Sequence, residues 1–313
     1  MEFIAVSLLN GVIYGLLLFM VSAGLTLIFG MMGVLNFAHA SFYMLGAYFA
    51  YTISGLTNFW VGLLLAPILV GLIGIYVERY MLRRVHSHGH AHELLLTFGL
   101  AFIIEELVKL FYGDFPVNYR VPAELDFAAF RLFELSYPFY RLFIGLVAVG
   151  MFVVLLLMLT RTRVGIVVRG AERLPKMAEA LGHNVPLVFT GVFCVGAALA
   201  GLAGAVAGAF YPTNPNMALE LGVIVFVVVV VGGLGSLSGS LVASLLIGTF
   251  VSFAVGLDWS LAGALDVVGL GDWAREVGGL LTMTLSSISG TVPFLLMLII
   301  LLVRPAGLMG AKQ

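Results

Sequence analysis

The chain has 313 residues, of which 62% are hydrophobic and only 10% are charged, with a mean hydropathy of +1.14. A soluble domain carries about 25% charged residues, so this composition excludes a water-facing globular surface and implies a polytopic membrane protein. The formal net charge of −1 singles out no partner, and the lone Cys194 excludes an internal disulfide or a cysteine-rich metal site.

A spanning helix needs about 20 mostly apolar residues. In chain order, the segments that satisfy this are 5–30, 36–56, 60–82, 94–112, 141–160, 186–209, 219–234, 237–256 and 280–303. No Lys or Arg precedes the first apolar run, which is too long for a signal-peptide core, so it reads as a retained span. The predicted class is an all-α membrane bundle of eight or nine spanning helices, forming one transmembrane domain over 1–313. The lower number applies if 221–256 holds a re-entrant hairpin, because GGLGSLSG at 232–239 interrupts it.

Basic residues orient membrane spans. Nine spans place Arg79, Arg83, Arg84, Arg161, Arg163, Arg169, Arg173, Lys176, Arg304 and Lys312 on one side, against Lys109, Arg120, Arg131, Arg141 and Arg275 on the other. That bias puts the N-terminus outside, the C-terminus inside, and 113–140 in an outer loop. Glycine pairs such as Gly11/Gly15 and Gly204/Gly208 have the small-xxx-small spacing that lets membrane helices approach closely.

The stretch GVLNFAHASFYMLGAYFA, 33–50, places Asn36, His39 and Ser41 in an apolar region. Shifting it by 202 residues lays Gly30, Gly33 and Gly46 on Gly232, Gly235 and Gly248, and Asn36 on Ser238. The common device is a glycine break (Gly30 and Gly33; Gly232, Gly233, Gly235 and Gly239), after which Asn36 or Ser238 supplies a side-chain oxygen to cap the next helix. Such breaks can aim half-helix N-termini at an anionic solute. Two roles stay open for Asn36 and Ser238, structural caps beside tight turns or residues of a translocation pathway or inner gate; His39 could hydrogen-bond the break, line the pathway or meet a partner chain, and Ser41 is a first-turn residue facing protein or the pathway.

No GxxxxGK[ST], HExxH, CxxC pair or GxSxG occurs, so no catalytic residue and no nucleotide-binding loop is expected in this chain. Glu105 and Lys109 stand four apart and predict a helical ion pair. HSHGHAH at 86–92 has alternating histidines, but no second ligand cluster adjoins it, and no metal site is assigned.

The longest inner loop, about 161–185, contains PKMAEAL, with Pro175 suited to the first turn of a short helix and Gly182 to the position just past its end. Such a helix could lie on the membrane or dock on a partner. With Ala178, Glu179, Ala180 and Gly182, the loop resembles the coupling segment of bacterial ABC importer permeases. GVIYGLLLFMVSAGLTLIFGMMGVLNFAHASFYMLGAY (11–48) and VVGGLGSLSGSLVASLLIG (230–248) are similar to the two signatures of the branched-chain amino acid ABC transporter permease family.

The resemblance implies an ATP-driven importer of the bacterial inner membrane, with alternating access coupled to separate subunits. The implied partners are two ATPase subunits that use the ATP, a second related permease (a heterodimer favoured) and a periplasmic solute-binding protein. No cofactor in this chain and no nucleic acid is implied. Arg169, Glu172, Lys176, Glu179 and Gly182 would form the ATPase coupling surface. The solute would be a branched-chain or related amino acid; urea, short amides or another small polar solute is the alternative. A stand-alone channel or secondary carrier fits less well, because deep carboxylates are few.

Overall fold

The computed structural model describes residues 2–132, 135–257, 259–266 and 269–310; Lys312 and the side chains of Glu172 and Arg173 lie outside that description. Helix α1 (Glu2–Met32) has 31 residues, or roughly 46 Å at 1.5 Å per residue. It is apolar on every side, which suits a helix surrounded by others, and its middle from Leu16 to Ile28 is buried almost without interruption.

Around it stand α2 (His39–Leu56), α3 (Phe59–Val77), α5 (His90–Tyr112), α6 (Phe139–Arg161), α9 (Val185–Ala207), α10 (Met217–Gly232), α11 (Leu237–Gly256) and α14 (Val292–Val303). Helix α3 runs on through a π turn (Glu78–Leu82) into the short α4 (Arg83–Val85). Two small helices, α7 (Arg163–Arg173) and α8 (Pro175–Ala180), join α6 to α9; α12 (Leu261–Leu265) and α13 (Gly271–Val277) precede α14.

Missing side chains draw the helices together. A Cβ on Gly11 would lie 2.6 Å from Thr249 Cα, and one on Gly15 would lie 2.8 Å from Leu245 Cα. Thr26 and Ser240 hydroxyls meet at 2.6 Å further along, so α1 and α11 run antiparallel in near-backbone contact. Helix α9 is bound the same way to α2: Gly46 faces the Gly201 backbone and Gly204 faces that of Tyr43 and Ala47. Lipid supplies no hydrophobic drive for helix association, so close packing of small residues takes that role. The predicted glycine pairs thus become the contacts of the bundle.

Among the described residues, five helices are long and apolar enough to cross a membrane: Glu2–Met32, Phe59–Val85, Phe139–Arg161, Val185–Ala207 and Leu237–Gly256. The other expected spans exist as helices but differ in kind. Helix α2 is rich in His, Ser, Thr and Tyr, and α5 carries Glu93, Glu105, Glu106 and Lys109. Helices α10 and α14 are short, at 16 and 12 residues.

Three expectations are corrected. The chain is not wholly helical: β1 (Ala128–Leu132) and β2 (Leu135–Pro138) form an antiparallel hairpin, fixed by aromatic pairs across it and at its foot. Phe130 stacks on Tyr137 at 5.4 Å and Phe127 on Phe139 at 4.6 Å. The expected span 280–303 becomes α-helical only at Val292, after short 3₁₀ turns at Gly279–Leu281 and Ser289–Thr291. Gly278 and Gly279 have positive φ and the segment TMTLSSISG is polar, so Pro293 in the first turn marks the true start. Finally, α7 is a complete helix where only α8 was foreseen. Thr162 caps it by accepting the Gly165 N–H at 3.1 Å.

Candidate translocation site

The break after α1 begins with Gly33, whose φ of +66° is a conformation glycine adopts without a Cβ penalty. Asn36 then folds back: its Oδ1 accepts the Ala38 N–H at 3.1 Å and its carbonyl accepts the His39 N–H at 3.2 Å. Asn36 therefore closes an Asx turn, and α2 starts at His39 with Ala38, not Asn36, in the cap position. His39 Nε2 donates to the Val21 carbonyl at 2.9 Å. Val21 lies well inside α1, so α2 begins beside the middle of that helix, not at its end. This moves the break deeper than the sequence suggested.

Asn36 and His39 are 3% and 1% exposed. Asn36 Nδ2 and His39 Nδ1 have no partner among the described residues. Because Nε2 donates, Nδ1 of the neutral ring presents a lone pair. Both residues line a cavity of about 180 Å³ between α1, α2, α5 and α10, walled by Phe37, Phe98, Phe102 and Phe226. Phe37 stacks on Phe226 at 6.1 Å and meets Phe98 edge-on at 6.3 Å. The cavity is therefore a mostly apolar pocket whose wall includes Asn36 and His39, with Asn36 Nδ2 and His39 Nδ1 themselves buried. Ser41 is buried in the first turn of α2 but is not among the residues lining this cavity.

At the second break Ser236, not Ser238, is the cap: its Oγ accepts the Gly239 N–H at 3.1 Å. Ser238 is exposed one position inside α11, so the pairing of Asn36 with Ser238 fails. The residue that turns inward is Ser240, bonded to Thr26. The glycine correspondence does hold locally, since Gly235 has φ +83° beside Gly33 at +66°. The two breaks also touch: a Cβ on Gly30 would lie 2.9 Å from Gly235 Cα. Gly232 packs on the Gly239–Ser240 backbone, and Gly233 (φ +99°) on Gly310.

Beyond Gly30 and Gly235 lies a smaller cavity of about 140 Å³, which Arg169 of α7 also lines. Arg169 is therefore turned toward the breaks, whereas Lys176 and Glu179 are exposed on α8. The capping of α8 is as the sequence suggested: Pro175 opens it, and Gly182 (φ +87°) closes it. Gly182 N–H donates to Glu179 O at 2.9 Å and His183 N–H to Ala178 O at 3.0 Å, a Schellman pair. Ala178 packs inward against Ala171 and Val185. Leu174, Met177 and Leu181 remain 60%, 59% and 75% exposed.

The ion pair of Lys109 with Glu105 forms at 2.7 Å, joined by Glu106 at 2.8 Å. The sequence reading missed two buried carboxylates. Glu78, 3% exposed at its side chain, bonds Arg83 at 2.9 Å and Thr190 at 2.6 Å. Glu93 bonds His86 and, at 3.2 Å, His90, which gives the alternating histidines a structural partner. Among the described residues no group of three or more metal-ligating side chains is present. The missed signal was a lone acid set among basic or histidine residues at a span's end.

Residues 7–301 match the family model described as branched-chain amino acid transport system, permease component. The chain is 27% identical to the high-affinity branched-chain amino acid transport system permease protein LivH of Salmonella typhimurium, over 97% of this chain and 94% of that protein. It is 26% identical to the corresponding permease protein BraD of Pseudomonas aeruginosa, over 98% and 95%. It is 28% identical to a probable branched-chain amino acid transport permease protein of Methanocaldococcus jannaschii, over 76% and 77%. No solved structure is matched.

Proposed function

Because the chain belongs to the branched-chain amino acid transport permease family, we propose that it is the membrane-spanning subunit of an ATP-driven importer. It would pass branched-chain or related amino acids inward across a bacterial inner membrane. Separate ATPase subunits, a second related permease chain and an external solute-binding protein would complete the machine.

The observation that carries the ATPase-coupled reading is the projecting α7–α8 unit. Its backbone is rigidly capped, yet Leu174, Met177 and Leu181 lie exposed beside Lys176 and Glu179. A mixed apolar and charged surface of this kind fits a protein partner. In this reading α8 and Gly182 dock on an ATPase, and Arg169 faces the Gly30–Gly235 contact. Nine crossings, with α10 and α14 as short ones, then place the N-terminus outside and α8 inside.

The test is reconstitution with and without the ATPases and binding protein, measuring labelled leucine uptake. Uptake should require ATP, and Met177→Asp with Leu181→Asp should abolish ATPase association while the fold is retained. Full uptake by the lone chain without ATP would overturn the reading.

One feature favours a second solute class. The Asn36–His39 cavity is small and has no carboxylate or ammonium in its wall, which also suits an uncharged solute such as urea or a short amide. Labelled urea uptake exceeding leucine uptake by the same complex would select it.

A further inference from the structure

At the end of α1 away from α7, a larger cavity of about 830 Å³ opens between α1, α6, α11 and the loop after α9. The opposite end of α1 is fixed by Leu27 and Met31, which pack against Val168 of α7. The two features therefore mark opposite ends of the bundle.

Arg141, in the first turn of α6, lines this cavity. Its guanidinium lies 5.4 Å from the Tyr137 ring and 5.2 Å from the Phe210 ring. Nη1 donates to Asn10 Oδ1 at 2.5 Å, and the Tyr137 hydroxyl donates to the same oxygen at 3.4 Å. The group is thus held in place from three sides. Yet among the described residues no carboxylate pairs with it, Nη2 has no hydrogen bond, and the buried Nε is unpartnered. A half-buried guanidinium without an anionic partner is costly unless it has a task. A guanidinium held in place with Nη2 free to donate is suited to a carboxylate.

The rest of the wall matches the remainder of an aliphatic amino acid. Glu2 lines the same cavity but forms no ion pair with Arg141, leaving an acid available to an ammonium group. Val6, Ile13, Val251 and Val255 supply an apolar face. We propose that this cavity is a capture site for a zwitterionic aliphatic amino acid, in which Arg141 binds the carboxylate before the solute moves deeper. The inference rests on the importer reading and names where its solute first engages this chain.

Phenylglyoxal, which modifies accessible guanidinium groups, reads the site directly. The assembled permease–ATPase complex in phosphatidylcholine nanodiscs is labelled, and the Arg141 peptide is quantified by mass spectrometry, with Arg120 and Arg131 as references. Leucine should slow Arg141 labelling about tenfold, and leucinamide, which lacks the carboxylate, should not. Equal protection by both, or by neither, overturns the proposal. So does protection in phosphatidylglycerol nanodiscs to which leucine adds nothing, because the occupant is then a lipid phosphate. In parallel, Arg141→Gln should lower ATP-driven leucine uptake about tenfold while still copurifying with the ATPases, and Arg141→Lys should recover part of it. Unimpaired uptake by Arg141→Gln removes this inference and leaves the importer reading standing. A wild-type complex that takes up no leucine removes that reading itself.

Discussion

Three glycines at the two breaks separate backbone strain from steric contact. Gly33 has φ +66° and open space where a Cβ would go. Gly33→Ala therefore meets left-handed strain alone, about 1–2 kcal/mol. Gly30 has an ordinary helical backbone, but its Cβ would press on Gly235 Cα at 2.9 Å. There an overpacking cost of about 1–3 kcal/mol is offset by up to about 1 kcal/mol of helix propensity. Gly235 meets both terms, with φ +83° and a Cβ 2.8 Å from Gly30 Cα, so Gly235→Ala should cost about 2–5 kcal/mol. Gly33→Asn should be milder than Gly33→Ala, because Asn tolerates the left-handed region. Unfolding midpoints in detergent, followed by fluorescence-detected gel filtration, rank the four variants. If Gly235→Ala unfolds no earlier than Gly33→Ala, the contact between the breaks is not tight and the reasoning fails.

Other substitutions are equally specific. Gly46→Ala, whose Cβ would lie 2.5 Å from Gly201 Cα, should destabilise by about 3 kcal/mol, while Gly150→Ala, with nothing within 4 Å, should be neutral or slightly stabilising; the same melts compare them. Ser236→Ala should cost about 1 kcal/mol through the lost cap, and Ser238→Ala less than about 0.5 kcal/mol. Arg83→Ala should be the worse half of its pair, about 3 kcal/mol in chemical unfolding, because it strands the buried Glu78 carboxylate; Glu78→Gln should cost about 1 kcal/mol.

The helices were legible where apolar length alone decided them, as in 237–256, which the structure reproduces to the residue. The α8 caps were legible because Pro175 and Gly182 act through local backbone rules. What failed was whatever depended on neighbours. Ser236 and Ser238 are two positions apart in a chain of glycines and serines, and only the backbone path chooses the cap. Asn36 and His39 converge on one cavity because α5 and α10 close around them, which no local pattern states. Arg141 was counted only as one outer charge, since the rings of Tyr137 and Phe210 reach it from a hairpin and from a loop far along the chain. Helix α7 was hidden because its arginines resemble a solvated loop, although Val164, Val168 and Ala171 recur at helical spacing.

The pairing of glycine against glycine also limits how this protein can change. In an ordinary core, an enlarged residue can be accommodated by shrinking its neighbour. Where Gly46 faces Gly201, Gly30 faces Gly235, and Gly15 faces Gly248, the neighbour has no side chain left to trim. A mutation at one of these crossings has no second-site suppressor across the contact. Lineages that acquire one can recover only by reversion or by moving a whole helix.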